Sequence, residues 1–308
     1  MKTSTRFESV VAGIFFGLLI VAGMFVFAGT PGHISNYLAF VAGVFFFHLL
    51  LVQRFKNFWL GLLGSLLLVL IPSVFAQSFH FSTDVAFMTT FIITTYLAAL
   101  FAERKRIWLA VLVALGSAFL IDMKFAGLLF PVLLVDTFFL SGDRKEDKKV
   151  LWLYLVFVAF FLVIAFPLLG HNVFANFTSL ILSVSSTSLP WLYALRWFVT
   201  TVPPAFLILA VIGVWYFVDS VPHVVREELF MGGWLAIPLI LGTLVRSHLF
   251  DIWGQMFFLY PAVLYFVVLA LAKCSPRLRA SLLVLLAVNV FFILLFMSES
   301  LLNLTPSI

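Results

Sequence analysis

Asp84 and Lys124 are charged residues at positions where an apolar membrane segment should avoid charge. Both fall between Pro72 and Pro131, among long runs of Leu, Ile, Val and Phe. A charge within or at the lip of a bilayer is costly, so by default such a residue has a partner and a function. Asp84 closes the polar link Gln77-Ser78-Phe79-His80-Phe81-Ser82-Thr83-Asp84, and Lys124 lies in Asp122-Met123-Lys124, the break between two short apolar runs. A carboxylate there can accept a proton from an attacking hydroxyl or orient a cation. A lysine can hold an anion such as a phosphate as a point charge. Each residue also has a plainer reading. Asp84 follows Ser82-Thr83 at the start of an apolar helix, where an acid caps orphan amides, and Lys124 can snorkel to water and pair with Asp122. His80 and Asp84, four apart, supply only half of a metal site, so no metal ligand set is assigned. A divalent cation is left open, and no other cofactor is indicated.

The elements that must position these residues are read from composition. The chain has 308 residues, 64% of them hydrophobic and 10% charged, which no soluble core requires in runs of this length. The runs are close to the ~20 residues that cross a hydrocarbon core as a helix, and no ~10-residue alternating barrel strands are found. The expected fold class is therefore all-α, a polytopic bundle of about eleven transmembrane helices. The runs are Val10 to Ala28, Ile34 to Val52, Phe58 to Ala76, Val85 to Ala102, Ile107 to Ile121, Phe125 to Leu140, Val150 to Leu169, Thr200 to Val218, Leu229 to Val245, Met256 to Ala272 and Ala280 to Met297. No soluble linker interrupts them, so residues 1–308 read as one domain.

Charge sets the orientation. With the N-terminus in the cytoplasm and alternate loops assigned inward, 15 of the 18 Lys and Arg residues fall on the inner side, as the positive-inside rule demands. The C-terminus is then outside. Only Lys124, Arg196 and Arg246 remain for the outer lip, which also receives Asp84, Asp122, Asp251, His80 and His248. Arg196, flanked by Trp191, Tyr193 and Trp197, most simply anchors an aromatic belt. The net charge of +5 is spread in short clusters between helices, so nucleic-acid binding is excluded. The single cysteine, Cys274, rules out an intramolecular disulfide. No pair of matching broken helices argues for an inverted-repeat transporter.

In order along the chain come Pro72, the link Phe75 to Phe87 with its Ser and Asp84, a basic turn, Gly116 with Lys124 eight residues on, Phe125-Ala126-Gly127 and Pro131. That order resembles the GT-C membrane glycosyltransferases of the protein O-mannosyltransferase and aminoarabinose-transferase type. Trp191 to Pro204 and Phe257-Phe258-Leu259-Tyr260-Pro261 extend the likeness more loosely. The resemblance implies transfer of a sugar from a polyprenyl-phosphate donor to an acceptor, whether protein, lipid or glycan, on the non-cytoplasmic side of a bacterial inner membrane. It further implies that Lys124 and Arg246 hold the donor phosphate and that Asp84 serves as the acid, supported by His80, Asp122, Arg196, His248 and Asp251.

The sequence departs from that pattern in two places. The family carries its principal acid in a large first outer loop, whereas Thr30-Pro31-Gly32-His33 holds no Asp or Glu. Gly254-Gln255 stands where related sequences often have Arg-His. The expectation is therefore an N-terminally shortened or degenerate family member. Its alternatives are a non-catalytic membrane subunit and a lipid or anion transporter, the latter requiring polar groups in the inner half of the bundle.

Overall fold

A computed structural model describes residues 2–26, 34–80, 83–140, 145–170, 196, 198–199, 202–219, 226–245 and 256–303. The helices are α1 (Lys2–Val26), α2 (Ile34–Phe55), α3 (Phe58–Val69), α4 (Pro72–Ser78), α5 (Thr83–Arg104), α6 (Ile107–Met123), α7 (Leu129–Leu140), α8 (Lys145–Phe160), α9 (Phe166–Leu168), α10 (Pro204–Asp219), α11 (Arg226–Val245), α12 (Tyr260–Lys273) and α13 (Pro276–Asn303). A single π-helical turn, Phe161–Ala165, joins α8 to α9. No strand occurs among the described residues, and each of the eleven expected apolar runs carries a described helix.

By length and composition three described helices can each cross a bilayer: Ile34–Phe55, Thr83–Arg104 and Lys149–Leu168. The third expected run, Phe58 to Ala76, is not one straight helix. Phe58–Val69 and Pro72–Ser78 meet at 72°, because proline drives the residue before it out of the helical region. Ile71 is accordingly extended, at φ −77° and ψ 111°. Asn57 starts the first half, its side chain accepting from the amides of Trp59 and Leu60 at 2.9 and 3.2 Å. The second half ends inside the stretch expected as an irregular polar link, since Gln77 and Ser78 are helical.

Helix α5 lies between α2 and α6. Its threonines satisfy their hydroxyls on backbone carbonyls, which lets polar side chains sit in an apolar bundle. Thr94 and Thr95 bond within α5, while Thr89 crosses to the Ala39 carbonyl of α2 at 3.0 Å. Gly116 brings α6 against α5: a β-carbon there would overlap the Thr94 hydroxyl. Ser117 and Tyr154 tie α6 to α8 through hydroxyls 2.8 Å apart, both side chains fully buried. Helix α12 is buried along its length from Tyr260 to Leu271, as expected of a helix that is apolar all round. Bulky residues such as Leu18, Trp152, Val211, Trp215 and Phe291 face outward, the surface that lipid covers in a membrane protein.

The two ends of α2 mark the two polar ends of the bundle. At one end Asn36 meets the turn after α4. At the other Arg54 forms a salt bridge with Glu228 of α11 and donates through Nε to the Tyr265 hydroxyl at 3.2 Å. Lys273 Nζ lies 4.0 Å from the same Glu228 carboxylate, which is 2% exposed. At the rise of an α-helix, Asn36 and Arg54 are about 27 Å apart along α2.

Candidate functional site

The site is built by the end of α6 and the start of α5. Helix α6 stops at Met123, and Lys124 is extended, at φ −152° and ψ 146°. Both of its backbone groups are used: its amide donates to the Leu120 carbonyl at 3.0 Å and its carbonyl accepts from the Gly127 amide at 2.9 Å. A 3₁₀ turn, Phe125–Leu128, then leads into α7. Gly127 folds this turn directly onto the Leu120 carbonyl, a contact that leaves no room for a β-carbon. The lysine side chain is thus projected from a fixed backbone.

It reaches across to α5. Lys124 Nζ forms a salt bridge with Asp84 Oδ1, with side-chain exposures of 9% and 22%. The ammonium also lies 5.8 Å from the Phe87 ring centroid, one turn along α5, within the range of a cation–π contact. Asp84 was expected at the cap position. Instead α5 begins at Thr83 and Asp84 stands inside its first turn, where the positive end of the helix dipole favours a carboxylate.

An apolar groove of about 190 Å³ begins at the residue after the lysine, lined by Phe125, Leu129, Val132, Ile237, Leu241 and Phe258 among others. Phe258 packs edge-on against Phe87 at 5.4 Å, so one wall of the groove touches the ring beneath Lys124. The turn bearing Phe258, Phe257–Leu259, is launched by Met256, a buried residue at φ 52°. A side chain in the left-handed region is held there by its surroundings at some cost.

The other expected site residues fall as follows. His80 is exposed, four residues before Asp84. Asp122 is half-buried in the last turn of α6, and Arg196 is exposed. Arg246, His248 and Asp251 lie outside the described residues. Among the described residues no three His, Cys, Asp or Glu side chains come together as a metal site.

Sequence reading missed two features. Asn36, 7% exposed, donates through its amide to the carbonyls of Gln77, Ser78 and His80. The signal was available: an amide followed by a tyrosine in the first turn of an apolar helix. The second is the Arg54–Glu228–Lys273 cluster: in the sequence its cations read as orientation signals, and its acid falls just before the expected run Leu229 to Val245.

The geometry as a whole is a cation paired with a carboxylate and seated over an aromatic ring, with an apolar groove walled by Phe125 and Phe258. Such an arrangement suits an amphiphile with an anionic head. Comparison with known proteins bears on this. Residues 14–171 match the family model described as dolichyl-phosphate-mannose-protein mannosyltransferase. No curated protein matched the chain. Among solved structures, ArnT from Cupriavidus metallidurans bound to undecaprenyl phosphate is similar, with a TM-score of 0.63 and 17% identity. The match covers 89% of this chain and 52% of that one, so the chain spans about half the length of that protein.

Proposed function

The chain belongs to the dolichyl-phosphate-mannose-protein mannosyltransferase family, within the GT-C glycosyltransferases, and from that premise we propose that it takes a sugar from a polyprenyl-phosphate donor and passes it to an acceptor. The observation that carries this reading is the placement of Lys124. It is a nearly buried cation, paired with Asp84 and lying over the Phe87 ring, next in sequence to Phe125 of an apolar groove. The groove would take the first isoprenes of the donor and Lys124 its phosphate. The undecaprenyl phosphate bound to the similar ArnT structure supports this class of lipid.

In the reaction, the acceptor oxygen forms a bond to the anomeric carbon as the bond from that carbon to the phosphate oxygen breaks. The electron pair leaves with the phosphate, and the acceptor's proton goes to a carboxylate. Lys124 opposes the charge that grows on the phosphate oxygen, which is where a preorganised cation has most effect. Asp84 holds Lys124 in place and is the carboxylate nearest to it. Arg246 would add a second cation from the segment after α11. In this reading the bundle crosses the inner membrane of a bacterium eleven times, with the N-terminus and the Arg54 end inside and the Asp84 end outside.

A second reading, donor binding without turnover, is favoured by one feature: Asp84 already carries Lys124. An oxygen already engaged by the lysine ammonium is not open to the acceptor's hydroxyl.

The test of the donor site is binding of undecaprenyl phosphate to the purified full chain in detergent. Wild type should bind and Lys124→Ala should bind about tenfold more weakly or worse, the equivalent of ~1.4 kcal/mol. Equal binding by both would remove Lys124 from the donor site.

A further inference from the structure

The turn that precedes Asp84 is held from outside by two consecutive residues of α2. Asn36 Nδ2 donates to the Gln77, Ser78 and His80 carbonyls at 3.2, 3.3 and 2.6 Å. These belong to the last turn of α4 and the residues after it, and the Gln77 carbonyl also accepts from the His80 amide at 3.1 Å. The adjacent Tyr37 stacks on Phe79, with ring centroids 5.1 Å apart and planes 21° from parallel. The Tyr37 hydroxyl in turn donates to the Leu19 carbonyl of α1 at 2.7 Å. One residue of the pair therefore grips the turn by its carbonyls and the next by its ring.

A buried amide in an apolar helix is unfavourable unless its hydrogen bonds are made. A leucine would fill similar space at no such cost. The donors of Asn36 go to the turn four residues before Asp84, whereas α2 itself packs against α5 through Thr89 and Ala39. Residue type also matters. Serine offers one short donor, and aspartate offers none and would set a negative charge against three carbonyl oxygens.

We propose that Asn36 is a positioning residue: by fixing the turn Gln77 to His80 it sets where α5 begins and so where Asp84 meets Lys124. The proposal rests on reading that ion pair as the phosphate end of the donor site, and its test is chosen to separate the two.

The experiment uses the full chain in detergent and compares wild type with Asn36→Ala, Asn36→Asp and Thr89→Val. The last removes a hydrogen bond between α2 and α5 away from the turn. Three quantities are read: thermal midpoint, the rate at which a limiting acylating reagent modifies Lys124, located by mass spectrometry, and affinity for undecaprenyl phosphate. Asn36→Ala and Thr89→Val should lower the midpoint by similar amounts, since each removes buried hydrogen bonding. Only Asn36→Ala should free Lys124, raising its acylation several-fold and weakening lipid binding about tenfold, or ~1.4 kcal/mol. Asn36→Asp should behave like Asn36→Ala, having no N–H to donate. Acylation of Lys124 that is the same in Asn36→Ala as in Thr89→Val would overturn the proposal and leave Asn36 a packing residue. Raised acylation in a protein whose wild type binds no undecaprenyl phosphate would support the positioning role and refute the donor reading. Should Asn36→Ala fail to accumulate, Asn36→Ser keeps one donor and should give an intermediate acylation rate, while a wild-type rate there counts against the proposal.

Discussion

Gly127 lies so close to Leu120 that a β-carbon on it would overlap the Leu120 carbonyl. The contact folds the turn after α6 back onto the helix it has just left, and Lys124 is the hinge between them. Gly127→Ala should therefore push the turn outward and pull Lys124 from Asp84. Overpacking of this kind typically costs about 1–3 kcal/mol. Thermal unfolding in detergent should show a lowered midpoint, together with weakened binding of undecaprenyl phosphate. A midpoint and affinity equal to wild type would mean that the turn is not what places the lysine.

The ion pair itself is testable by a double-mutant cycle. Removing one partner leaves the other charge largely desolvated, a loss of about 3–5 kcal/mol where burial is complete and less where, as for Asp84 at 22% exposure, water has partial access. Lys124→Met and Asp84→Asn should each destabilise the protein, while the double variant should recover most of the loss. Additive losses would show that the two charges do not depend on each other.

The opposite end of the bundle should behave independently. Glu228 is 2% exposed between Arg54 and Lys273, and Glu228→Gln leaves both cations facing a neutral amide. It should destabilise the fold by less than the roughly 3–5 kcal/mol of a fully buried pair, because the cations left behind, Arg54 and Lys273, are 23% and 34% exposed. Donor binding should be unchanged in the protein that remains folded, because the cluster is about 27 Å from the Asn36 end of α2. Weakened donor binding at full occupancy of the folded state would reveal coupling between the two ends.

Helix positions were legible in the sequence because lipid forces every spanning backbone into helices of a length that apolar runs display directly. Pro72 and the Gly116 to Lys124 spacing were legible for the same reason, as residues with narrow steric roles. The partner of Lys124 was less so. Asp122 is two residues away in sequence and Asp84 forty, and only the close approach of α6 to α5 at Gly116 and Thr94 brings the distant acid near. Asn36 stood out as an amide in an apolar helix, but its role did not, for a related reason. Its partners are main-chain carbonyls, which carry no residue signature, and it meets them through a 72° bend that hydropathy alone does not report.

Orientation can be read with described, exposed positions. His80 lies at the Asp84 end and Arg104 at the other end of α5. Cys274 is 3% exposed, so the native thiol should give little background. In intact cells an impermeant maleimide should label His80→Cys and should reach Arg104→Cys only after the membrane is opened. The reverse pattern would invert the assignment of faces and place the Lys124 groove toward the cytoplasm.

Transfer and binding make different demands on Asp84. A general base contributes about 10²–10⁴-fold in rate, provided that it is free to take the proton at the moment of attack. Asp84 is salt-bridged to Lys124, so protonating it would also leave the lysine without its counter-charge just as the phosphate departs. The two roles conflict: a carboxylate that holds the cation in place is poorly suited to neutralisation by the acceptor. Sugar transfer from a polyprenyl-phosphate donor by the purified chain is therefore expected to be slow and to fall in Asp84→Asn by no more than donor binding falls, whereas donor binding should fall sharply in Lys124→Ala. Rapid turnover that Asp84→Asn abolishes would show the opposite: that the approaching phosphate takes over the lysine, releases the carboxylate and makes Asp84 the base.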